Sequence, residues 1–142
     1  MTGKRLFDEL QKRFGFPDDL FRNWALVDHE DDVFITTPEV EEFSLVKPVR
    51  KGIRFARVFR HGIKPTTNAM QVFGRHATRN TIALNQAQAL LFVRGEEMAI
   101  TASVEDDFVI VQHEGFTLGV GLYRHGVLKS QVPRSRRPSV SA

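Results

Sequence analysis

The sequence predicts an α+β protein, with a mixed helical and strand part followed by a part made of strands alone. An amphipathic helical pattern opens the chain, and short helical and strand patterns alternate up to Gly95. After Gly95, four strand patterns follow one another at roughly 10-residue spacing, with turn residues between them. A row of short strands after a helix favours a small barrel or sandwich for the second part.

The first helix is predicted from Lys4 to Phe14, because Leu6, Leu10 and Phe14 lie at helical spacing among charged residues. Gly15 is placed to end it, since glycine readily adopts a left-handed terminal conformation. Runs of β-branched and aromatic residues then predict four strands, the first two as a hairpin, with a loop or short helix after that hairpin. These strands are 24–28, 33–37, 44–47 and 53–59.

Two short helices are predicted in the middle of the chain, each from a residue suited to cap its N-terminus. Thr66 or Thr67 caps the first, which ends at Gly74. Asn85 caps the second, which runs over residues 86–93 and is followed by a glycine. Its buried stripe is predicted to be Ala87, Leu90 and Leu91. The apolar side chains expected to point inward between residues 43 and 95 are Phe55, Val58, Phe59, Met70, Val72 and Leu90.

The remaining predicted strands lie in the second half of the chain, at 79–84, 97–103, 108–112, 117–123 and 127–132. Three dipeptides between the last four are compatible with hairpin turns, namely Asp106-Asp107, Glu114-Gly115 and His125-Gly126. Gly119 and Gly121 lie within a strand and lack the following helix of a dinucleotide site, so we interpret them as glycines that let the strand kink or let another backbone approach closely.

Three units are predicted from these patterns. They are an N-terminal α+β domain over residues 1–83, a second domain over residues 84–137, and a mobile tail over residues 138–142. The tail assignment follows from its small and polar composition.

Acidic and basic residues are segregated along the chain, although the formal net charge is only +3. The run 43–95 contains no Asp or Glu and carries ten Lys and Arg, and the run 115–142 contains none and carries five. Basic surface free of carboxylates attracts phosphate backbones, so polyanion binding, with RNA as the main candidate, is the leading hypothesis. We expect the two runs to meet on one face, with the acids of residues 1–42 turned away from it.

The composition excludes several classes of chemistry. The chain has no cysteine, which rules out disulfides, cysteine-ligated zinc, iron–sulfur clusters and thiol nucleophiles. The five histidines are scattered without ligand spacing, so neither a metal nor a cofactor is expected. No apolar run approaches the roughly 20 residues that span a bilayer, and the N-terminus is charged. A cytoplasmic protein without a membrane partner is therefore expected.

The segment 64–80 is the sharpest local signal for a binding site. It combines Lys64, Arg75, His76 and Arg79 with the capping hydroxyl of Thr66, and it contains no acid. A helix N-terminus beside hydroxyls and a lysine favours anions, and two arginines past the helix can bind a second phosphate. The competing interpretation is a solvated basic connection that only packs apolar residues inward.

Two stretches, KPTTNAMQVFGRHATRNTIAL with LLFVRGEEM and HEGFTLGVGLYRHGVLKSQVPRSRR, resemble the C-terminal RNA-binding region of Sun-type RNA cytosine-C5 methyltransferases. The opening LFDELQKRFGFPDDLF resembles the segment that precedes the PUA domain of that region. The resemblance implies a PUA-like pseudo-barrel over about residues 84–137 and RNA, either tRNA or rRNA, as the ligand. The RNA contacts that it implies are Lys64, Arg75, His76, Arg79, Arg124, Lys129 and Arg134.

The chain departs from that family in lacking the catalytic cysteines and the glycine-rich loop of a methyltransferase domain. We therefore expect a free-standing, non-catalytic RNA-binding protein that acts in RNA modification or ribosome biogenesis. The alternative is a module that docks on a separate RNA methyltransferase or ribosomal protein, which predicts an exposed apolar patch around Phe14, Phe16 and Phe21. A small hydrolase or transferase would need a convergent polar pocket, which the sequence does not indicate.

Overall fold

The computed structural model describes residues 3–29, 31–36, 53–60 and 62–133. Its α-helices are α1 (Gly3–Phe14), α2 (Thr67–Phe73) and α3 (Gln86–Val93), and a 3-10 turn, Gly74–His76, follows α2. Its strands are β1 (Ala25–His29), β2 (Asp32–Thr36), β3 (Ile53–Phe59), β4 (Gly62–Pro65), β5 (Thr81–Ala83), β6 (Glu97–Ala99), β7 (Asp107–His113), β8 (Phe116–Arg124) and β9 (Val127–Ser130). The predicted strand 44–47, the segment after Pro38, Arg134 and the tail 138–142 lie outside the described residues.

The first sheet is antiparallel, with its strands in the order β1-β2-β3-β4. The predicted hairpin of β1 and β2 and the predicted strand β3 are confirmed. Strand β4 was not predicted, because its sequence, GIKP, contains the two residues least typical of strands. Its pairing with β3, in which Lys64 lies opposite Arg57, makes it a strand.

The second sheet has five strands in the order β5-β7-β8-β9-β6. Strand β5 runs parallel to β7, and the other pairs are antiparallel. The α+β class is confirmed, whereas the described strands form an open sheet with β5 and β6 at its ends rather than a closed barrel. Two predicted hairpin turns are present, with positive φ at both central residues of each: Glu114 (48°), Gly115 (82°), His125 (51°) and Gly126 (80°).

The strand predicted at 97–103 is shorter than expected and pairs with a different neighbour. Only Glu97–Ala99 is a strand, and it pairs with β9 rather than with β7. The Asp106-Asp107 dipeptide therefore does not close a hairpin between adjacent strands. Local turn chemistry does not reveal this, because the position of β6 is decided by pairing with the far end of the chain.

The second sheet separates two hydrophobic cores. Ile110 and Val120 pack in a core with α1, the first sheet and α2. Val109 and Val111, on the opposite face of β7, pack with Phe92 of α3. The first core is rich in aromatic rings, which meet mostly edge to face, as Phe21 and Phe55 do with centroids 5.5 Å apart.

Several burial predictions are wrong. Helix α3 buries Ala89 and Phe92 and exposes Ala87, Leu90 and Leu91. This helix is apolar on all sides, so its pattern does not identify one face, and the large Phe92 ring decides the orientation. Phe59, Val72 and Leu90 are exposed rather than inward, whereas Phe55 and Met70 are fully buried as predicted.

The exposed apolar patch predicted for a docking module is also absent at its expected place. Phe14 and Phe16 are buried, and Phe21 stacks on Phe7 with ring centroids 4.6 Å apart. These rings form the first core because α1 lies on the first sheet with its apolar side inward.

The C-terminal end of α1 is bonded to the chain that enters the second sheet. The carbonyl oxygen of Phe14 accepts from the backbone N–H groups of Thr78 and Arg79, at 2.8 and 3.0 Å. The Asn80 side-chain amide donates to the carbonyl of Arg13 at 2.6 Å, and the Thr78 hydroxyl donates to that of Gly15 at 2.7 Å. Carbonyl groups that every helix end leaves without intrahelical partners are thus satisfied by residues 78–80.

The Arg13 side chain completes this connection. Its guanidinium donates to the backbone carbonyls of Phe108 and Glu105, at 3.0 and 2.9 Å, and it forms an ion pair of 3.1 Å with the Glu105 carboxylate. The Arg13 side chain is only 19% exposed, so these bonds are partly shielded from water. Arg13 therefore holds α1 against the loop before β7.

Replacement of Arg13 by Ala should lower the free energy of unfolding by about 2 kcal/mol, because several charge-assisted hydrogen bonds are lost at a part-buried site. The matched control on the same helix is Arg5→Ala, whose ion pair with Glu9 is exposed and is expected to contribute about 0.5 kcal/mol. Urea unfolding of both variants measures the difference. Equal losses would show that Arg13 does not connect the two sheets.

Candidate nucleic-acid interface

A β-bulge in strand β3 places two arginines on the same face of the first sheet. Val33 pairs with Ala56 and the next residue, Phe34, pairs with Arg54, so Phe55 is the extra residue on β3. In a regular strand, residues three apart point to opposite faces, and one inserted residue restores them to the same face. Arg54 and Arg57 accordingly both reach the carboxylate of Asp32, at 3.9 and 3.3 Å.

Lys64 joins this face from the neighbouring strand. It lies directly opposite Arg57 in the pairing of β3 with β4. Like charges at directly opposed positions of a sheet repel each other, so an arrangement of this kind reduces stability. We call the three residues Arg54, Arg57 and Lys64 the cation cluster.

The cation cluster lines a cleft of about 220 Å³ between the two sheets. The other lining residues come from the end of β4, the start of α2 and the chain after β9, namely Pro65, Thr66, Thr67, Asn68, Gln131 and Pro133. No carboxylate is among the lining residues. Three cations around a polar cleft without a lining acid suit an anionic ligand, in particular a phosphate group.

The environment of Lys64 lowers the pKa of its ammonium group below the usual value of 10.5. Burial contributes most, followed by the positive charges of Arg57 and Arg54. Its Nζ also lies 5.8 Å from the centroid of the Phe108 ring, within the range of a cation–π interaction. A negatively charged ligand in the cleft would offset the repulsion from the two arginines.

Thr66 occupies the predicted capping position, but its hydroxyl is engaged within the protein. Its Oγ1 accepts from the backbone N–H of Ala69 at 3.1 Å and donates to the carbonyl of Arg54 at 2.5 Å. The second bond connects the start of α2 to the bulged strand. Thr66 therefore positions the cleft, and its hydroxyl proton is not free for a ligand.

The other residues predicted in the segment 64–80 lie apart from the cleft. Arg75 and His76 are in the 3-10 turn, where Nε of Arg75 donates to Nε2 of His76 at 3.2 Å. Arg79 is exposed and lines a different depression, together with Thr78 and Glu105. The structure thus separates Lys64 and Thr66 from the three residues that follow α2.

The predicted contacts in the last strands are also dispersed. Arg124 lines a groove that contains Phe59 and Arg60. The Nζ of Lys129 lies 3.6 Å from a carboxylate oxygen of Glu97, in the pairing of β9 with β6. Whether any of these side chains contacts RNA stays a prediction.

The two acid-free runs meet at two places between the sheets. Gln131 and Pro133 of the second run line the cleft of the cation cluster, and Arg124 shares a groove with Arg60 of the first run. The expectation that all acids of residues 1–42 are turned away is wrong, because Asp32 faces Arg54 and Arg57. Strand pairing explains this, since Asp32 lies opposite Arg57 in the register of β2 and β3.

Arg54 and Arg57 were missing from the predicted contacts, although both lie in the first acid-free run. In a regular strand, cations three residues apart point to opposite faces. Their spacing in the sequence therefore does not predict that they lie together. In the sequence, the bulge corresponds only to the adjacent apolar residues Phe55 and Ala56, both of which are buried.

Gly119 and Gly121 each leave space for a neighbouring side chain, rather than for the close approach of another backbone that was expected. A Cβ atom on Gly119 would lie 2.9 Å from Oγ1 of Thr67, and one on Gly121 would lie 2.6 Å from Cδ1 of Leu128. Gly119 therefore lets α2 pack on β8, and this contact positions the start of α2 beside the cleft.

The second sheet, with the capped helix α3 against it, is a PUA-like domain. Residues 79–138 match the family described as the PUA domain of the methyltransferase RsmF. The resemblance drawn from the sequence is confirmed over this part of the chain.

Two curated relatives agree with this assignment. The chain is 29% identical over 85 residues to a ribosomal RNA small subunit methyltransferase F from Aeromonas salmonicida. It is 28% identical over 85 residues to the protein of the same name from Aeromonas hydrophila subsp. hydrophila. Each match covers 60% of this chain but only 18% of the relative.

Among the residues that the structure describes, no helix is long and apolar enough to cross a membrane. No group of three His, Asp or Glu side chains in the same residues is arranged to hold a metal ion.

Replacement of Arg57 by Gln should raise the pKa of Lys64 towards 10.5, because it removes a neighbouring positive charge while the burial of Lys64 remains. An NMR titration that follows the side-chain Cε resonance of Lys64 measures this change. The control, Arg94→Gln, removes an exposed arginine that does not line the cleft and should leave the pKa unchanged. An unchanged pKa in the Arg57 variant would contradict the electrostatic contact.

Proposed function

We propose that this protein binds RNA, without catalysing a reaction, through the cleft of the cation cluster. The observation that carries the proposal is the convergence of Arg54, Arg57 and Lys64 on a cleft that no carboxylate lines. Arginine side chains bind phosphate oxygens with two parallel hydrogen bonds, and a lysine adds a compact charge. Such contacts determine where an RNA backbone lies on a protein.

The repulsion within the cluster supports a binding role over a purely structural one. Strand pairing places Lys64 opposite Arg57, and the pKa of Lys64 is lowered by burial and by both arginines. Perturbed ionisable groups in a cleft are concentrated at functional sites. Asp32 offsets part of the charge of the arginines, and it does not line the cleft.

The relatives support ribosomal RNA as the ligand. Their name assigns them to the RNA of the small ribosomal subunit, and the family that residues 79–138 match is a PUA domain. We infer that this chain acts in ribosomal RNA modification or ribosome biogenesis, with rRNA favoured over tRNA. The absence of cysteine from the sequence supports a non-catalytic role, since the resemblance implies cysteine-based chemistry for the methyltransferases.

The alternative is a module that docks on a separate RNA methyltransferase or ribosomal protein. Its predicted patch around Phe14 and Phe16 is buried in the core. The two arginines of the cation cluster, in contrast, are exposed, with side chains 49% and 54% accessible for Arg54 and Arg57. RNA binding is therefore the better-supported proposal.

The double variant Arg54→Ala/Arg57→Ala should reduce affinity for a synthetic rRNA hairpin by roughly tenfold or more, because two charge-assisted phosphate contacts are lost. The slope of log affinity against log salt concentration should become shallower by about 1.4 to 1.8. Fluorescence anisotropy at several salt concentrations measures both quantities. The control is Arg5→Ala/Arg94→Ala, which removes the same charge from outside the cleft.

A second double variant, Arg75→Ala/Arg79→Ala, tests the site that the sequence alone predicted. Loss of RNA binding in this variant, with normal binding in the Arg54/Arg57 variant, would show that the RNA-binding site lies at the 3-10 turn and not in the cleft. If the unmodified protein binds no RNA, the proposal fails. Capture of an RNA methyltransferase that persists after nuclease treatment would then favour the docking alternative.

A further inference from the structure

Phe59 is an aromatic side chain exposed on the face that carries the cation cluster. It is 45% exposed, although its position in an apolar strand pattern predicts burial. The pairing of β3 with β4 is regular from Ala56 to Phe59, so Phe59 and Arg57, two residues apart, share one face. The residue opposite Phe59 is Gly62, and the space where a Gly62 side chain would begin has no atom within 4 Å. One flank of the ring is therefore uncovered.

Phe59 borders a groove of about 470 Å³ between the two sheets. Arg60 from the first sheet and Arg124 from the second also line it, as do Asp106, Asp107 and Phe108. The surface of the groove has mixed chemistry, because it presents an exposed ring, two arginines and two carboxylates. It differs in this respect from the cleft of the cation cluster. The groove is large enough for a flat ring to enter beside Phe59.

The groove and the cleft are neighbours on the first sheet, because Gly62 lines the groove and Lys64, two residues along β4, lines the cleft. Lys64 lines the cleft, and its Nζ lies 5.8 Å from the ring centroid of Phe108, which lines the groove. On β3, Arg57 and Phe59 are about 7 Å apart along the strand, given the rise of each residue. A ligand that occupies the cleft can therefore extend into the groove without leaving the protein surface.

The cleft and the groove differ in charge, and this difference determines which part of such a ligand each of them suits. No carboxylate lines the cleft, which suits phosphate. Asp106 and Asp107 in the groove would repel a phosphate, but carboxylates accept hydrogen bonds from the amino groups of bases. The ring of Phe59 offers a stacking surface for any base. The cleft is thus the phosphate end and the groove is the base end.

We propose that the groove binds one unpaired nucleobase, stacked on Phe59, of an RNA strand whose phosphates lie in the cation cluster. This inference rests on the proposed function and adds the ligand class, because a base in an intact duplex is not free to stack on a side chain. The competing explanation is that Phe59 only covers the backbone of Gly62 across the hairpin. That role affects stability and has no effect on RNA affinity.

The test compares a ten-nucleotide single-stranded RNA with the same sequence as a blunt duplex, by fluorescence anisotropy. Phe59→Ala should weaken binding of the single strand by about tenfold or more and leave the salt slope unchanged, since stacking releases no counterions. Phe59→Trp should retain or increase affinity, because a larger ring still stacks. The duplex should bind more weakly than the single strand and should respond little to Phe59→Ala.

The matched control is Phe116→Ala. Phe116 is 75% exposed and lies at the β7–β8 hairpin, outside the groove, so its removal should leave affinity unchanged. Thermal unfolding of each variant identifies any loss of affinity that comes from misfolding, and Phe59→Trp provides a second, folded variant.

Two results would overturn the stacking proposal while RNA binding itself stands. One is unchanged affinity of Phe59→Ala for the single strand, with binding still lost in Arg54→Ala/Arg57→Ala. The other is equal affinity for the duplex and the single strand. If the unmodified protein binds neither RNA, both the stacking proposal and the proposed function are wrong.

Discussion

The attachment of the C-terminal end of α1 to the second sheet is the interaction on which the rest of the structure depends. Two carbonyl groups at the end of α1 and that of Gly15 accept hydrogen bonds from residues 78–80, and Arg13 donates to carbonyl groups of the loop before β7 and of β7 itself. Because the same helix covers the aromatic core of the first sheet, this attachment determines how the two sheets meet. The cleft and the groove both lie where the two sheets meet.

The cation cluster illustrates the conflict between stability and binding. A bulge brings Arg54 and Arg57 to one face, and strand pairing adds Lys64 opposite Arg57. A lysine whose pKa is lower in the folded state binds its proton less tightly there than in the unfolded chain. Its unfavourable contribution is therefore complete at pH values below the folded pKa, and it declines as the pH rises from the folded pKa to the unfolded value near 10.5. Arrangements of this kind are concentrated at functional sites, which supports the RNA-binding role proposed above.

Local features were predicted well. The helix α1, the Asn85 cap of α3 and two hairpin turns follow from the preferences of a few adjacent residues. Features that depend on pairing with residues far along the chain were not predicted. Strand β4 forms only because β3 lies beside it, and β6 pairs with β9 rather than with β7. The buried face of α3 was mistaken because apolar residues surround the helix and only the packing of Phe92 selects a side.

The sequence by itself determined the α+β class and the segregation of basic from acidic residues, because these depend on composition and local pattern. Its resemblance to a known family also indicated the PUA-like part, and the family match covers residues 79–138. The sequence also placed Lys64 among the candidate contacts. The tertiary structure alone decided that Lys64 is joined by Arg54 and Arg57 rather than by Arg75 and Arg79, and that Phe59 faces outward. The physical reason is that one inserted residue in β3 changes which side chains share a face, and an insertion of this kind is defined only by the strand that pairs with it.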